Sequence, residues 1–357
     1  MLGKKGSKIF FSPGRCTQCG VCAAACPHDA ITCMRGKEQY SIVIDKDKCV
    51  HCGLCVRNCA ANLLDGNPPD EAKLKSFESV LAWARDEKTR YYASSGGFVR
   101  AAIHEMLSRK MVAGVYTLRY HADEDDLYGE WIREDIPDNE IPQSQYRVLN
   151  WGRNLLTDCP EKGNVLLVGL ACQLKAAVQL LSVRKPQLAP ITICILCRKN
   201  KRLGFSRYIA RQNGTPHARL TDIRYRGDGW PGTMHTIDNG VPTKGISFRY
   251  HAYCWNLRGC EHCLDGYYMD GDFTVGDPWD IIDKATEPLG KSLVHVHSPK
   301  AKQLLESFRS IAWEQPPAPK LDYEICLGKH AVLQNYALRI KHRIKAFIGE
   351  FVLNHFR

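Results

Sequence analysis

Two runs of cysteines in the first sixty residues share one spacing. The first is Cys16-x-x-Cys19-x-x-Cys22-x-x-x-Cys26-Pro27, and the same spacing returns from Cys49 to Cys59. Three thiolates at positions i, i+3 and i+6 can surround one cubic iron–sulfur cluster, while the fourth cysteine of the run reaches the neighbouring cluster. The pattern therefore predicts two [4Fe-4S] sites, one held by Cys16, Cys19, Cys22 and Cys59 and the other by Cys26, Cys49, Cys52 and Cys55.

A zinc site is the alternative for these cysteines. Structural zinc needs about four ligands per ion, usually in paired Cys-x-x-Cys knuckles with a longer spacer, and the three-plus-one run does not supply that arrangement. Ala60 replaces the proline expected after the second run, which we expect to alter the local backbone and not the ligation. Cys33 lies outside both runs and is predicted to be a small buried residue.

Four later cysteines form a candidate third set. Cys172 follows a predicted strand, Cys197 ends another, and Cys260-x-x-Cys263 supplies a close pair. Each has an ordinary explanation alone, as a core residue or as half of a zinc site. Together they supply four thiolates, so we predict a third [4Fe-4S] cluster, with Cys194 as the alternative to Cys197.

A loop of serines and glycines precedes a predicted helix. Ser94-Ser-Gly-Gly97 offers hydroxyls, backbone amides and the positive end of a helix dipole, which together suit a pyrophosphate group. An ordinary serine N-cap with glycines in the turn explains the segment equally well. Gly227-Asp-Gly-Trp-Pro-Gly232 matches a dinucleotide fingerprint only as a pattern, because Pro231 and the following residues lack the required helix.

Apolar periodicity outlines the elements that would position these residues. We predict strands at 40–45, 165–168 and 191–195, helices at 98–107 and 173–181, a charged helical stretch at 70–90, and an irregular, strand-rich region at 215–300. Residues 65–69 resemble a linker, so the first domain covers residues 1–68. The predicted fold class is α+β, with a small bacterial-ferredoxin-like domain followed by a mixed α/β domain.

Residues 326–357 predict a basic amphipathic helix. Its apolar stripe and its lysines and arginines lie on different sides of the helix. Packing against its own domain is one interpretation. The other is docking to a partner or, peripherally, to an anionic membrane surface.

The composition excludes several classes of protein. The formal net charge is +11, but clusters held by thiolates are anionic, and we find no nucleic-acid-binding motif. No apolar stretch approaches the roughly 18 residues of a membrane span, and we find no export signal. Reduced, metal-bound cysteines in a cytoplasmic protein therefore fit the sequence better than disulfides.

The motifs together resemble the coenzyme F420 hydrogenase/dehydrogenase beta-subunit family, in members that begin with a two-cluster ferredoxin domain. Ala93-Ser-Ser-Gly-Gly97 resembles the family's flavin loop, Ser144-Gln-Tyr146 its Gly-Ser-Lys-Tyr segment, Gly169-Leu-Ala-Cys172-Gln173 its Gly-Thr-Pro-Cys-Gln turn, and Leu196-Cys197-Arg198 its Cys-His-Gly. Arg226 to Trp230 resembles its Arg-x-Lys-x-x-Gly-Trp stretch, and Cys260 to Cys263 with Asp272 to Trp279 resembles its Cys-x-x-Cys and Gly-Asp-x-Trp signature. Gly290-Lys-Ser292 completes a series that runs in order from about residue 12 to 310. The departures from these motifs indicate a divergent member.

The resemblance implies that FAD is bound in the larger domain, which would therefore be a flavin-binding domain. Its N-terminal part would be residues 69–160, with the flavin loop, and its C-terminal part residues 161–325, with the third cluster. The implied flavin contacts are Ser94, Ser95, Gly96, Gly97, Ser144, Tyr146, Gly229, Trp230, Asp277, Lys291 and Ser292.

The resemblance also implies an oxidoreductase that exchanges hydride with a small carrier of the coenzyme F420 type. Electrons would pass through FAD and the clusters to a redox partner protein or complex. Hydride transfer depends on orientation, so we assign no catalytic acid or base. Two alternatives remain: a ferredoxin-dependent flavoprotein reductase of an organic substrate, and a non-catalytic electron-relay subunit of a larger complex.

Overall fold

The computed structural model describes residues 14–63, 70–245, 255–263, 266, 268–279 and 281–317. The predicted linker at 65–69, the domain boundary near residue 68 and the predicted C-terminal helix at 326–357 lie outside these residues.

The N-terminal module contains the two cysteine runs. Its elements are α1 (Val21–Ala24), β1 (Ile31–Arg35), β2 (Tyr40–Ile44), α2 (Leu54–Arg57) and α3 (Ala60–Leu63). Strands β1 and β2 form an antiparallel hairpin. This hairpin contains the strand predicted at 40–45.

The sequence repeat is also a repeat of backbone conformation. Gly20 and Gly53 immediately precede α1 and α2, with φ angles of 83° and 76°. Gln18 and His51, two residues earlier in each copy, also have positive φ angles of 58° and 56°. Glycine adopts this left-handed conformation without steric cost, so each run can turn sharply and direct its cysteines toward one side.

The larger domain is built on one eight-stranded mixed sheet. Its strands are β3 (Glu78–Ala84), β4 (Val115–His121), β5 (Asp126–Ile132), β6 (Gly163–Gly169), β7 (Leu188–Ile195), β11 (Phe273–Gly276), β12 (Ser292–Val296) and β13 (Ile311–Glu314), in the order β13-β3-β12-β11-β7-β6-β4-β5. Strands β11, β7, β6 and β4 are parallel, and the outer strands are antiparallel. Both regions of the predicted larger domain contribute to this sheet. A separate three-stranded sheet contains β8 (Ile223–Arg224), β9 (His235–Asp238) and β10 (Val241–Pro242).

Helices cover both faces of the large sheet, because its central strands are apolar on both sides. The helices of the larger domain are α4 (Glu71–Ser76), α5 (Glu87–Tyr92), α6 (Phe98–Ser108), α7 (Ala171–Arg184), α8 (Gly204–Gln212) and α9 (Pro299–Ser307). Of these, α8 packs on the three-stranded sheet and not on the large one. One core contains Phe98 and Ile103 of α6 and Leu305 of α9. The opposite core contains Leu174 and Leu181 of α7. The predicted mixed α/β architecture is confirmed, as are the strands around 165–168 and 191–195 and the helices around 98–107 and 173–181.

The prediction of a helical stretch at 70–90 is wrong in its centre. Residues 78–84 form β3, which pairs with both β12 and β13. Val80, Leu81 and Ala82 are each at most 1% exposed. Burial on both faces inside the sheet outweighs the weak helical preference of the surrounding charged residues.

The N-terminal module packs directly on the larger domain. Val21 of α1 is fully buried in the same core as α7 and Trp151. The Gly152 amide donates a hydrogen bond of 2.6 Å to the Cys19 carbonyl oxygen. A Cβ atom on Gly152 would lie 2.4 Å from the Val21 side chain, so only glycine permits this approach.

Within the residues that the structure describes, no helix is both long and apolar enough to cross a membrane.

Candidate redox centres

The first predicted cysteine set is gathered in a buried region. Burial raises the pKa of Cys16 to about 11 and that of Cys19 to about 12, and the Cys59 thiol adds to both shifts. The pKa of Cys22 is also raised, first by its hydrogen bond to Cys33 and then by burial. Buried thiols in mutual contact resist ionisation unless a cation offsets their charge. The set fits a metal cluster, which would supply that positive charge.

Cys33, which lies outside both cysteine runs, is close to this group. It is only half-buried, and its thiol contacts that of Cys22. The Asn150 side chain and Arg153 also lie beside it, and with Cys22 as the largest cause they lower its pKa. The position of Cys33 in the sequence gave no signal of this contact with Cys22, because the β1–β2 hairpin brings Cys33 to the cluster loop only when the chain folds.

The second set surrounds a cavity. Cys26, Cys49, Cys52 and Cys55 all line it, together with apolar residues that include Ile31, Ile44 and Val56. Burial raises the pKa of Cys55 to about 11, and Cys52, Cys26 and Cys49 each add to the shift. Cys52 is exposed, so this set lies at the protein surface.

The third predicted set also comes together. Burial raises the pKa of Cys172, and Cys263, Cys260 and Cys197 are among the thiols that raise it further. Cys172 lies in the first turn of α7, which begins at the end of β6. The four cysteines, far apart in sequence, therefore meet near the carboxyl ends of the central strands β6 and β7.

The structure distinguishes Cys197 from Cys194. Cys194 is fully buried within β7, and its Sγ lies 3.8 Å from the Ile195 carbonyl oxygen. Cys197 follows the strand and interacts electrostatically with Cys172. The geometry favours Cys197 as the fourth member of the set.

The first and third sets are adjacent. The Cys260 thiol contributes to the raised pKa of Cys16, and Cys19 contributes to that of Cys172. A Cβ atom on Gly259 would lie 2.1 Å from the Cys16 carbonyl oxygen, so the two cluster loops touch through their backbones. Among the described residues, no three histidine, cysteine or acidic side chains converge as the ligands of a single metal ion do.

The residues predicted to contact a flavin lie around one hydrogen-bonded network. Arg226 donates to both carboxylate oxygens of Asp277 at 2.8 Å, and to the Tyr146 hydroxyl at 2.8 Å. It also donates to the Ser94 carbonyl oxygen. The Trp230 indole donates to Asp277 at 2.9 Å. Although burial disfavours its charge, Tyr146 and Asp277 raise the pKa of Arg226, so this buried guanidinium stays charged.

The Ser94–Gly97 loop is packed against the start of β12. Ser94 Oγ accepts a hydrogen bond of 2.7 Å from the Ser144 amide, and Ser95 Oγ donates at 2.7 Å to the Lys291 carbonyl oxygen. A Cβ atom on Gly96 would lie 2.6 Å from the Ser292 nitrogen. Both hydroxyls therefore bond to protein, Ser94 as an acceptor and Ser95 as a donor.

Two of the eleven predicted flavin contacts remain, Gly97 and Gly229. Gly97, with φ 80°, is the N-cap of α6. Gly229 donates its amide hydrogen to the Tyr91 carbonyl oxygen at 2.9 Å. The structure thus brings all eleven predicted flavin contacts into one region from five separate segments of the chain.

Three buried polar atoms in this region have no hydrogen-bond partner among the described residues. They are Gln143 Oε1, Gln145 Oε1 and Arg226 Nε. A buried polar atom without a partner costs about 1–3 kcal/mol, so the site fits a polar bound group. We did not predict the two glutamines, and the only signal for them was their position beside Ser144.

The flavin-site residues adjoin the third cysteine set. Burial is the main cause of the raised pKa of Tyr146, and Cys197 also contributes to it. Tyr146 thus contacts the Arg226–Asp277 pair and lies near Cys197.

Comparison with known families identifies the chain. Residues 79–131 match the N-terminal region, and residues 162–315 the C-terminal region, of the coenzyme F420 hydrogenase/dehydrogenase beta subunit. The chain belongs to this beta-subunit family. Residues 15–63 match a 4Fe-4S dicluster domain. The resemblance seen in the sequence is confirmed, and so is an iron–sulfur module at the N-terminal end of the larger domain.

A solved structure has a similar fold. It is a chain of the F420-reducing [NiFe] hydrogenase complex from Methanosarcina barkeri, with 15% identity and a TM-score of 0.55. The match covers 72% of this chain and 89% of that chain. No curated protein matches the sequence.

The family match places the predicted sites in its two regions. The Ser94–Gly97 loop lies in the N-terminal match, and the third cysteine set lies in the C-terminal match. The beta-subunit family is part of an oxidoreductase system, and the dicluster domain adds an electron-transfer module.

Proposed function

We propose that this protein is an FAD and iron–sulfur oxidoreductase that transfers electrons between a hydride carrier of the coenzyme F420 type and one-electron partners. The observation that carries the proposal is that the flavin region and the three cysteine sets lie close to one another in the order of an electron path. Tyr146 of the flavin region lies near Cys197, Cys19 and Cys16 lie near the third set, and the second set follows in the N-terminal module.

When bound, FAD would accept two electrons together and release them singly, whereas each cluster carries one. The residues of this chain would bind and orient it. Arg226 and Asp277 hold Trp230 and Tyr146 in fixed positions, and Gln143, Gln145 and Arg226 have buried polar atoms left to bond it. Breaking such a buried ion pair by removing one partner costs about 3–5 kcal/mol, so these residues are rigidly placed.

The proposed order of electron flow follows from the contacts of the cysteine sets. The third set lies nearest the flavin region, the first set is adjacent to it, and the second set is at the surface. Val50, next to this second set, is 57% exposed. The surface around Cys52 is therefore where we place exchange with a redox partner protein.

An oxygen-free preparation of the full chain tests the proposal. Iron, sulfide and flavin are quantified, and reduced F420 is then added while absorbance is followed. We expect about twelve iron atoms, as four per cluster, one FAD, and bleaching of the flavin band followed by the cluster absorbance. Zinc in place of iron, or no bleaching by reduced F420 in a flavin-loaded sample, would contradict it.

A non-catalytic relay subunit is the second candidate. It is favoured by the Ser94 and Ser95 hydroxyls, which already bond to protein. A preparation with full cluster content that neither contains nor takes up FAD would support the relay.

A further inference from the structure

Three large aromatic side chains are exposed around the flavin region. Tyr91 is 42% exposed, Tyr92 is 45% exposed and Trp279 is 44% exposed. The backbones of Tyr91 and Tyr92 border the loop at 227–230: the Gly229 amide donates to the Tyr91 carbonyl oxygen, and a Cβ atom on Gly227 would lie 3.5 Å from the Tyr92 carbonyl oxygen. Single exposed apolar residues are common on protein surfaces, but these three cluster beside one polar site, which is typical of a binding surface.

Trp279 is held by the flavin-site network. Its ring packs on that of Trp230, with centroids 5.2 Å apart and planes at 36°. Trp230 is buried, and its indole nitrogen donates to Asp277, which Arg226 fixes through two hydrogen bonds. The Trp279 indole therefore packs on a buried, hydrogen-bonded residue, while much of its own surface faces solvent.

An exposed indole that packs on a buried, hydrogen-bonded neighbour favours one class of ligand. Planar heteroaromatic rings stack on tryptophan with a substantial gain in binding energy. Binding then costs little side-chain entropy if packing already restricts the tryptophan. A hydride carrier must place such a ring beside the flavin, and Trp279 lies two residues from Asp277 of that site. We infer that Trp279 is the platform on which the planar ring of the hydride carrier stacks, a specificity residue outside the predicted flavin contacts.

This inference rests on the proposed function, and binding measurements separate the two. Oxidised F420 is titrated into the FAD-loaded full chain and its Kd is measured by equilibrium dialysis, with KM, kcat and flavin content determined in parallel. We expect Trp279→Ala to raise both Kd and KM about tenfold, with kcat and flavin content unchanged, because a stacking contact alike in ground and transition states affects binding alone. Trp279→Phe retains an aromatic face and should recover most of the affinity.

The matched control is Trp313→Ala, since Trp313 is 37% exposed on strand β13 and belongs to no proposed site. It should leave Kd, KM and flavin content unchanged. An unchanged Kd in Trp279→Ala, or loss of FAD from that variant, would overturn the platform assignment while leaving the proposed function intact. A wild-type protein that neither binds F420 nor is reduced by it would overturn both.

Discussion

Thiol burial is the residue-level property on which the redox assignment depends. Cys16, Cys19 and Cys55 have raised pKa values, with burial as the largest cause and neighbouring thiols adding. Thiolate is the form that ligates metal, so these cysteines become good ligands only when the metal binds. Their arrangement in sets of four is consequently more informative than the chemistry of any one cysteine.

The third set gives a residue-level prediction. Cys197→Ser should remove one cluster, lowering iron by about four atoms per chain, because Cys197 lies with Cys172 and adjoins Tyr146. Cys194→Ser should leave the iron content unchanged, since that thiol points toward the backbone carbonyl oxygens of Ile195 and Gly266. Iron and sulfide analysis, with electron paramagnetic resonance of the reduced proteins, makes the comparison. The reverse pattern would mean that Cys194 is the ligand.

At the scale of elements, one carboxylate joins helix α6 to strand β13. Glu105 accepts hydrogen bonds from the backbone amides of Arg309 at 2.8 Å and Ser310 at 2.8 Å, and it pairs with Arg109. Burial alone would raise its pKa, but the bonds from Ser310, Arg309 and Arg109 lower it to about 2. Charged Glu105 therefore stabilises the folded chain.

The lowered pKa of Glu105 predicts that the free energy of unfolding depends on pH. A pKa lowered from 4.5 to about 2 corresponds to about 3 kcal/mol that is present above pH 4.5 and lost as the pH falls toward 2. Glu105→Gln should lose stability by about that amount at pH 7, and the difference from wild type should shrink by pH 3. Urea unfolding followed by circular dichroism at pH 7, 5 and 3 measures it. Glu134→Gln, at an exposed position, is the control, and a pH-independent difference would disprove the assignment.

At the scale of the whole molecule, the N-terminal module is positioned by contacts between backbones. Gly152 approaches Cys19 and Val21, and Gly259 approaches Cys16. Both glycines lie next to cluster loops, so the contact that fixes the module also places the first cysteine set beside the third.

Gly259→Ala tests this coupling. The new methyl group would lie 2.1 Å from the Cys16 carbonyl oxygen, so the two loops must separate. We expect flavin reduction by reduced F420 to keep its rate, while subsequent reduction of the N-terminal clusters slows at least tenfold. Stopped-flow absorbance resolves the two phases.

Gly214→Ala is the control for backbone strain without a steric clash, since its φ of 74° disfavours a side chain but a methyl group there meets nothing within 4 Å. Equal slowing in that variant, or unchanged electron transfer in Gly259→Ala, would show that the loop contact does not couple the clusters.

The sequence by itself determined the features that depend on short spacing. The cysteine runs predicted the N-terminal iron–sulfur module, and apolar periodicity predicted α6, α7, β6 and β7, because these patterns are set by residues close together in the sequence. The ordered series of motifs also indicated the family, because each motif is a short stretch of consecutive residues.

Only the tertiary structure decided what depends on distant partners. Residues 78–84 became a strand because β12 and β13 flank them, and Cys33 reached Cys22 because a hairpin folds it there. The interaction of Cys197 with Cys172 and the contact of Gly259 with Cys16 likewise join segments far apart in sequence. Local spacing carries no information about such pairs, since their energy comes from burial that exists only once the whole chain has packed.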